Sequence, residues 1–317
     1  MVLFLTERDV DQLLTVPLAI DAVEEAFLQL ASRKAENLPR RRLHNPGGML
    51  HLMAASLPER GFMGFKAYTT YPTGAKFKVY LYSTKTGELL AIMEADRLGQ
   101  IRTGAASGVA TRWMARQDSR VVGILGSGWQ ARTQLEAVCH VRRPDQVFAF
   151  SRSADRLKTF CDEMQRHLQI PCMAASSPDE VVVASDILIT VTNSVSPVFE
   201  SERLRAGTHI NAAGSNSILK RELSEGCIQK CASIVVDSKE QARLECGEFL
   251  APLEKGMLTW EAIRELGEVV SGQASPRKDA RDITLFKSLG LALEDVAVAG
   301  RLYCLALEQK VGKHLDL

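Results

Sequence analysis

The stretch Val121-Val122-Gly123-Ile124-Leu125-Gly126-Ser127-Gly128-Trp129-Gln130-Ala131 decides the fold. An apolar run of strand type ends in Gly126-x-Gly128-x-x-Ala131, and a helical pattern follows to about Val141. Each small residue has its own reason. The first glycine lets the chain turn tightly, the second lets backbone approach a pyrophosphate, and Ala131 lets the helix pack close to the strand. The helix N-terminus then offers N–H groups and a positive dipole end to phosphates. A Gly-x-Gly pair alone is an ordinary turn signal. The strand before it, the helix after it and a second strand at Gln146–Phe150 make it a dinucleotide-binding unit.

Working outward, strand and helix patterns alternate beyond residue 120. Strands are expected at Val121–Leu125, Val147–Phe150, Ile187–Val191, His209–Asn211 and Ile234–Val236. Helices are expected at Arg156–His167 and Pro178–Ala184. Such alternation implies an α/β unit with a doubly wound parallel sheet covered on both faces. Residues 250–282 read as irregular, and a last amphipathic helix as running from about Leu285 to Gln309. Upstream, residues 1–35 read as helical, with Thr6 as an N-cap and Pro17 at a first helical position. Residues 38–95 alternate in short runs at Met49–Met53, Gly64–Tyr68, Val79–Tyr82 and Leu89–Met93, which predicts a small, mostly antiparallel sheet. Ala95–Met114 is a helix rich in small residues, and the polar break Gln117-Asp118-Ser119 marks a domain boundary.

The totals exclude several classes. A chain of 317 residues suggests two domains, on a prior of about 150 residues each. A formal net charge of +1 gives no reason to expect nucleic acid or an anionic membrane as partner. No apolar run is long enough for a membrane span, and none reads as a signal segment. The seven cysteines, at 139, 161, 172, 227, 231, 246 and 304, form no Cys-x-x-Cys pair. They read as free thiols of a cytoplasmic protein, and no metal spacing is present.

The second nucleotide-binding strand is followed by Ser151-Arg152-Ser153. An NAD site usually has Asp or Glu here for the ribose hydroxyl. Two hydroxyls and a guanidinium are instead the donor set of a 2′-phosphate, so NADPH is the expected cofactor, with NADH second. The alternative is an exposed loop with NAD held otherwise. Thr192-Asn193 and Asn211 to Asn216 follow later strands at the edge where ligands lie in such sheets. They read as ligand contacts or as caps of the next helices. The first domain contributes cations: Arg40-Arg41-Arg42, Lys66 and Arg102. Each alone reads as a surface residue. Together they suggest a pocket for a substrate carboxylate, since a cation among apolar neighbours is costly to bury unpaired.

Taken in order, Met53, Lys66, Gln100-Ile101-Arg102-Thr103, Gly126 to Ala131, Ile210 to Ser215, Val236-Asp237-Ser238, Glu265 to Glu268 and Phe286 to Gly290 make the sequence resemble the ornithine cyclodeaminase/mu-crystallin family over nearly its whole length. The resemblance implies a smaller α+β substrate-binding and dimerisation domain, residues 1–118 with 284–317, and a Rossmann-type domain, 119–283. It implies a homodimer. It also assigns roles by position. Arg41, Met53, Lys66 and Arg102 match substrate-pocket residues. Thr103, Gly126, Ser127, Gly128, Trp129, Gln130, Ser151, Arg152, Ser153, Thr192, Asn193, Lys287 and Ser288 match cofactor contacts. The departure is Asn216, at a position where the cyclodeaminases and alanine dehydrogenases have Asp. An amide cannot act as a carboxylate base.

The expected activity is therefore NAD(P)H-dependent reduction of a small cyclic imino acid, with Lys66, Arg102 and Asn216 at the reacting centre. The five-membered substrate would be Δ1-pyrroline-2-carboxylate and the product proline; the six-membered pair would be Δ1-piperideine-2-carboxylate and pipecolate. The alternatives are an ornithine cyclodeaminase or amino-acid dehydrogenase, and an NADPH-regulated small-molecule binding protein.

Overall fold

The structure, a computed structural model, describes residues 1–316. Its strands in chain order are β1 (Val2–Leu5), β2 (Glu36–Asn37), β3 (Arg41–Asn45), β4 (Gly48–Leu57), β5 (Phe62–Tyr71), β6 (Gly74–Ser83), β7 (Leu89–Glu94), β8 (Val121–Leu125), β9 (Gln146–Phe150), β10 (Cys172–Ala174), β11 (Ile187–Thr190), β12 (His209–Ala212), β13 (Cys231–Val236), β14 (Ile263–Glu265), β15 (Ile283–Lys287) and β16 (Lys313–Leu315). The chain forms two compact units, Met1–Ala105 with Gly290–Leu317, and Ala106–Leu289.

The second unit is the doubly wound sheet. Its eight strands run in the order β10-β9-β8-β11-β12-β15-β13-β14, and every neighbouring pair is parallel. Strands buried on both faces read as continuous apolar runs, and Ile187, Leu188 and Ile189 on β11 are all fully buried. The strand order reverses between β8 and β11. That switch point opens a crevice at the carboxyl ends of the strands, where such sheets bind ligands.

The first unit is the antiparallel one. β4, β5, β6 and β7 pair in sequence, the first two pairs in long unbroken registers and β6 with β7 across a shift between Leu81 and Tyr82. The helices at 16–31 and 292–309 pack together, and the latter lies on β4 and β5. Alternation along β5 sends Gly64, Lys66 and Tyr68 inward and leaves Met63, Phe65 and Ala67 half-exposed. On the outward face Phe65 stacks on Tyr80 with centroids 4.7 Å apart. Thr6 caps the 7–13 helix in a reciprocal capping box with Asp9, and Thr15 caps the 16–31 helix.

Three expectations are corrected. Val2–Leu5 is a strand, pairing parallel with β7 and antiparallel with β16, rather than part of a helix. The run Ile283–Lys287 is a central strand, and the last helix begins only at Ala292. An apolar run of that length fits a buried strand or a buried helix equally well. Lastly, the contact boundary passes through the helix Asp96–Met114, at Ala105/Ala106, and then falls at Leu289/Gly290. The second of these must follow β15, because β15 is held between β12 and β13.

Candidate active site

In the Ala106–Leu289 unit, Gly126 follows β8 with φ +119°, a conformation that side chains disfavour. A Cβ there would overlap the carbonyl of Val191. Gly128 is the N-cap of the helix Trp129–Arg142 and supplies no side-chain cap. A Cβ at Gly128 would meet no atom within 4 Å, so backbone is accessible where phosphate would lie. Ala131 is fully buried, as close helix packing requires. Around this turn is a cavity of about 980 Å³, lined by Gly126, Ser127, Gly128 and Trp129 from the first βα turn, Ser151, Arg152 and Ser153 after β9, and Thr192 and Asn193 after β11. The size and the donor set suit a dinucleotide. Ser127 Oγ donates to Ser151 Oγ at 2.9 Å, joining the first two loops. Ser153 also caps the helix Ala154–Leu168 through its hydroxyl. Arg156 and one carboxylate, Asp155, line the same cavity.

Four residues expected at the cofactor do not line this cavity. Gln130 and Ser288 are not among the residues lining this cavity. Thr103 belongs to the first unit, where its hydroxyl donates to the Gly99 carbonyl at 2.7 Å, one helical turn back. Lys287 is fully buried: its Nζ donates to the Ser215 carbonyl at 2.8 Å and pairs with Glu248 at 3.1 Å. It thus supports the loop after β12 from beneath. Asn216, on that loop, is exposed.

In the first unit the cations converge. Met53, Lys66 and Val79 stand opposite one another across β4, β5 and β6. Lys66 is 2% exposed, and its Nζ lies 2.9 Å from Asp295 Oδ1. Arg102 donates to the same oxygen at 2.9 Å through Nε and to Glu294 Oε2 at 2.6 Å through Nη1. Arg40, also buried, donates to the Met53 sulfur at 3.3 Å and to the Gly290 carbonyl at 3.1 Å. Arg41, by contrast, is exposed, opposite Leu52 on β4. The structure therefore brings Arg40, rather than Arg41, into the buried cluster. Burial pushes the Lys66 ammonium down to about 8, a shift that Asp295 offsets only in part. Arg102 goes the other way: burial opposes its charge, but Asp295 and Glu294 outweigh burial and hold its pKa above the ordinary value. Lys66 and Arg102 thus face two carboxylates, Glu294 and Asp295, while Arg40 is held on Met53 and Gly290.

Glu294 and Asp295 are the partners that sequence reasoning missed. They lie in the first turn of an apolar helix, where acids ordinarily compensate the helix dipole. The missing signal was two buried-looking cations without named counterions. Among the described residues no group of three His, Cys, Asp or Glu could hold a metal, all seven cysteines are free, and no helix is long and apolar enough to cross a membrane.

Comparison with known proteins adds the following. The model of the ornithine cyclodeaminase/mu-crystallin family matches residues 2–310. The Δ1-pyrroline-2-carboxylate reductase of Bacillus cereus is 40% identical over 239 residues, which are 75% of this chain and 73% of that protein. Among solved structures, the Δ1-pyrroline-2-carboxylate reductase of Thermococcus litoralis in complex with NADH and L-proline has a TM-score of 0.94 at 37% identity, covering 99% of this chain and 100% of the other. An archaeal alanine dehydrogenase dimer with bound NAD has a TM-score of 0.93 at 35% identity, covering 100% of this chain and 99% of the other.

Proposed function

The chain belongs to the ornithine cyclodeaminase/mu-crystallin family, and from that premise we propose that it is an NAD(P)H-dependent oxidoreductase reducing a small cyclic imino acid of the Δ1-pyrroline-2-carboxylate type to the cyclic amino acid. The observation that carries this reading is the buried convergence of Lys66 and Arg102 on Glu294 and Asp295, with the buried Arg40 held on Met53 and Gly290 in the same unit. Clustered cationic donors of this kind suit a substrate carboxylate, held by charge-assisted hydrogen bonds. Lys66 and Arg102 carry the contact. Arg40 supplies fixed charge, and the exposed Arg41 is free to reach a solute. Met53 gives the cluster an apolar wall.

The nicotinamide nucleotide supplies hydride when bound. The protein's part is to hold the imino acid so that its C=N carbon is at transfer distance, and such positioning yields most of the rate in reactions of this kind. The imine nitrogen is basic and enters protonated, so the site needs no strong acid. Asn216 fits that economy. It can hydrogen-bond to the ring nitrogen, but it cannot serve as the base that an amino-acid dehydrogenase or cyclodeaminase requires. With a nicotinamide deuterated at the transferring position, deuterium is expected at Cα of the cyclic amino acid by mass spectrometry. Product carrying no deuterium would refute hydride transfer to the imine.

We further propose a preference for NADPH over NADH, on the grounds that Ser151, Arg152 and Ser153 line the cavity where an NAD site would carry an acid. Arg152→Ala should raise KM for NADPH roughly tenfold to a hundredfold, the worth of one charge-assisted bond of about 1.5–3 kcal/mol, and leave NADH nearly unchanged. Equal losses for both nucleotides would overturn the preference. The outward face of the first unit, with Phe65, Tyr80 and Tyr82 stacked and Leu38 and Leu52 exposed, supports a homodimer through that sheet, since an apolar patch of this kind marks an interface. The free thiols support a cytoplasmic location.

A further inference from the structure

Glu222 lies outside the nucleotide cavity, fully buried, yet both of its carboxylate oxygens are engaged by loops that reach the carboxyl edge of the sheet. Oε1 accepts the Thr192 N–H at 2.6 Å. Oε2 accepts the Gly214 N–H and the Thr190 hydroxyl, each at 2.9 Å. A Cβ at Gly214 would overlap both this carboxylate and the Thr192 nitrogen, so only glycine permits the approach. The Glu222 backbone takes part as well: its carbonyl accepts Val198 N–H at 2.9 Å, and its own N–H donates to Glu248 at 3.2 Å. Glu248 in turn pairs with Lys287, which holds the Ser215 carbonyl. A closed ring of buried polar contacts thus runs from the loop after β11, which lines the cavity through Thr192 and Asn193, to the loop after β12, which carries Asn216.

We propose that Glu222 is a positioning residue that couples nucleotide binding at the 192–198 loop to the placement of Asn216. The physical basis is stiffness. A carboxylate shared between two backbone amides in a buried site is worth far more than the same contact in solvent, and no other side chain bonds to both amides among the described residues. Ordering the first loop around a nucleotide therefore orders the second, which does not line the cavity. The inference rests on the nucleotide reading of that cavity, but not on the identity of the reduced substrate.

Hydrogen exchange read by mass spectrometry tests it on the whole protein, with NADPH as the only addition. Unaltered protein should gain protection at 126–131 and 191–198 and also at 213–217. In Glu222→Gln, which keeps the size but turns an amide group toward a backbone donor, protection at 126–131 should persist and that at 213–217 should fall at least tenfold. With imino acid present, kcat of this variant should drop about tenfold while KM for the imino acid moves less than threefold, a split that simple loss of folded protein would not give. Protection confined to 126–131 and 191–198 in the unaltered protein would overturn the coupling and leave the nucleotide reading intact. No protection at 126–131 would overturn both. The unaltered-protein arm decides the matter even where the variant fails to fold.

Discussion

Arg102→Ala is expected to lower kcat/KM for the imino acid about tenfold to a hundredfold, since one charge-assisted contact with the carboxylate is worth roughly 1.5–3 kcal/mol. It should also be the most destabilising single change at the site. The guanidinium is the shared partner of Glu294 and Asp295, both fully buried. Removing it takes the 2.6 Å contact from Glu294 and the 2.9 Å contact from Asp295, which keeps Lys66. Breaking a buried pair in this way costs about 3–5 kcal/mol. The two effects separate in a second variant. Adding Glu294→Gln to Arg102→Ala should restore part of the stability, read by thermal unfolding, without restoring activity. Near-full activity of Arg102→Ala would place the carboxylate pocket elsewhere.

The second large effect is with pH. Lys66 is buried against Asp295, and burial sets its pKa at about 8 against the ordinary 10.5. Below about 8 the ammonium is charged and can hold a carboxylate. As pH rises through 8 the free protein loses that charge, so kcat/KM should fall on a limb that approaches tenfold per pH unit. Stability moves the opposite way. The folded protein holds this proton less tightly than the unfolded chain does, so between about pH 8 and 10.5 the unfolded state binds more protons, and the contribution of Lys66 to stability rises with pH. Lys66→Arg, which cannot titrate in this range, should remove the falling limb. A limb of unchanged position in Lys66→Arg would assign it to another group, the substrate imine first among them.

How much of this was legible beforehand varies with the kind of signal. The nucleotide unit was readable because Gly126, Gly128 and Ala131 answer to local backbone geometry, and their strand and helix context is contiguous. The sheet of the first unit was readable from alternation along β4 to β7. What failed to show was non-local. β1 and β16, of four and three residues, exist because they pair with each other and with β7, and nothing within either segment announces it. Lys66 and Arg102 stood out as cations, but their counterions lie 229 and 192–193 residues further on, in a helix turn where acids are commonplace. Arg40, Arg41 and Arg42 are alike in sequence. Only the fold distinguishes the buried guanidinium from the exposed one. Glu222, in the run Lys220-Arg221-Glu222, has the composition of solvated surface, yet it is fully buried. Its role follows from where two strand ends meet.

The most direct test of the central claim compares two reactions of the unaltered protein, one with NADPH and Δ1-pyrroline-2-carboxylate, the other with NAD and L-ornithine, following nicotinamide absorbance and released ammonia together. With an amide at position 216, the account predicts rapid NADPH oxidation with proline formed in equal amount, and no ammonia above background from ornithine. Robust ammonia release from ornithine, with the imino acid left unreduced, would contradict it.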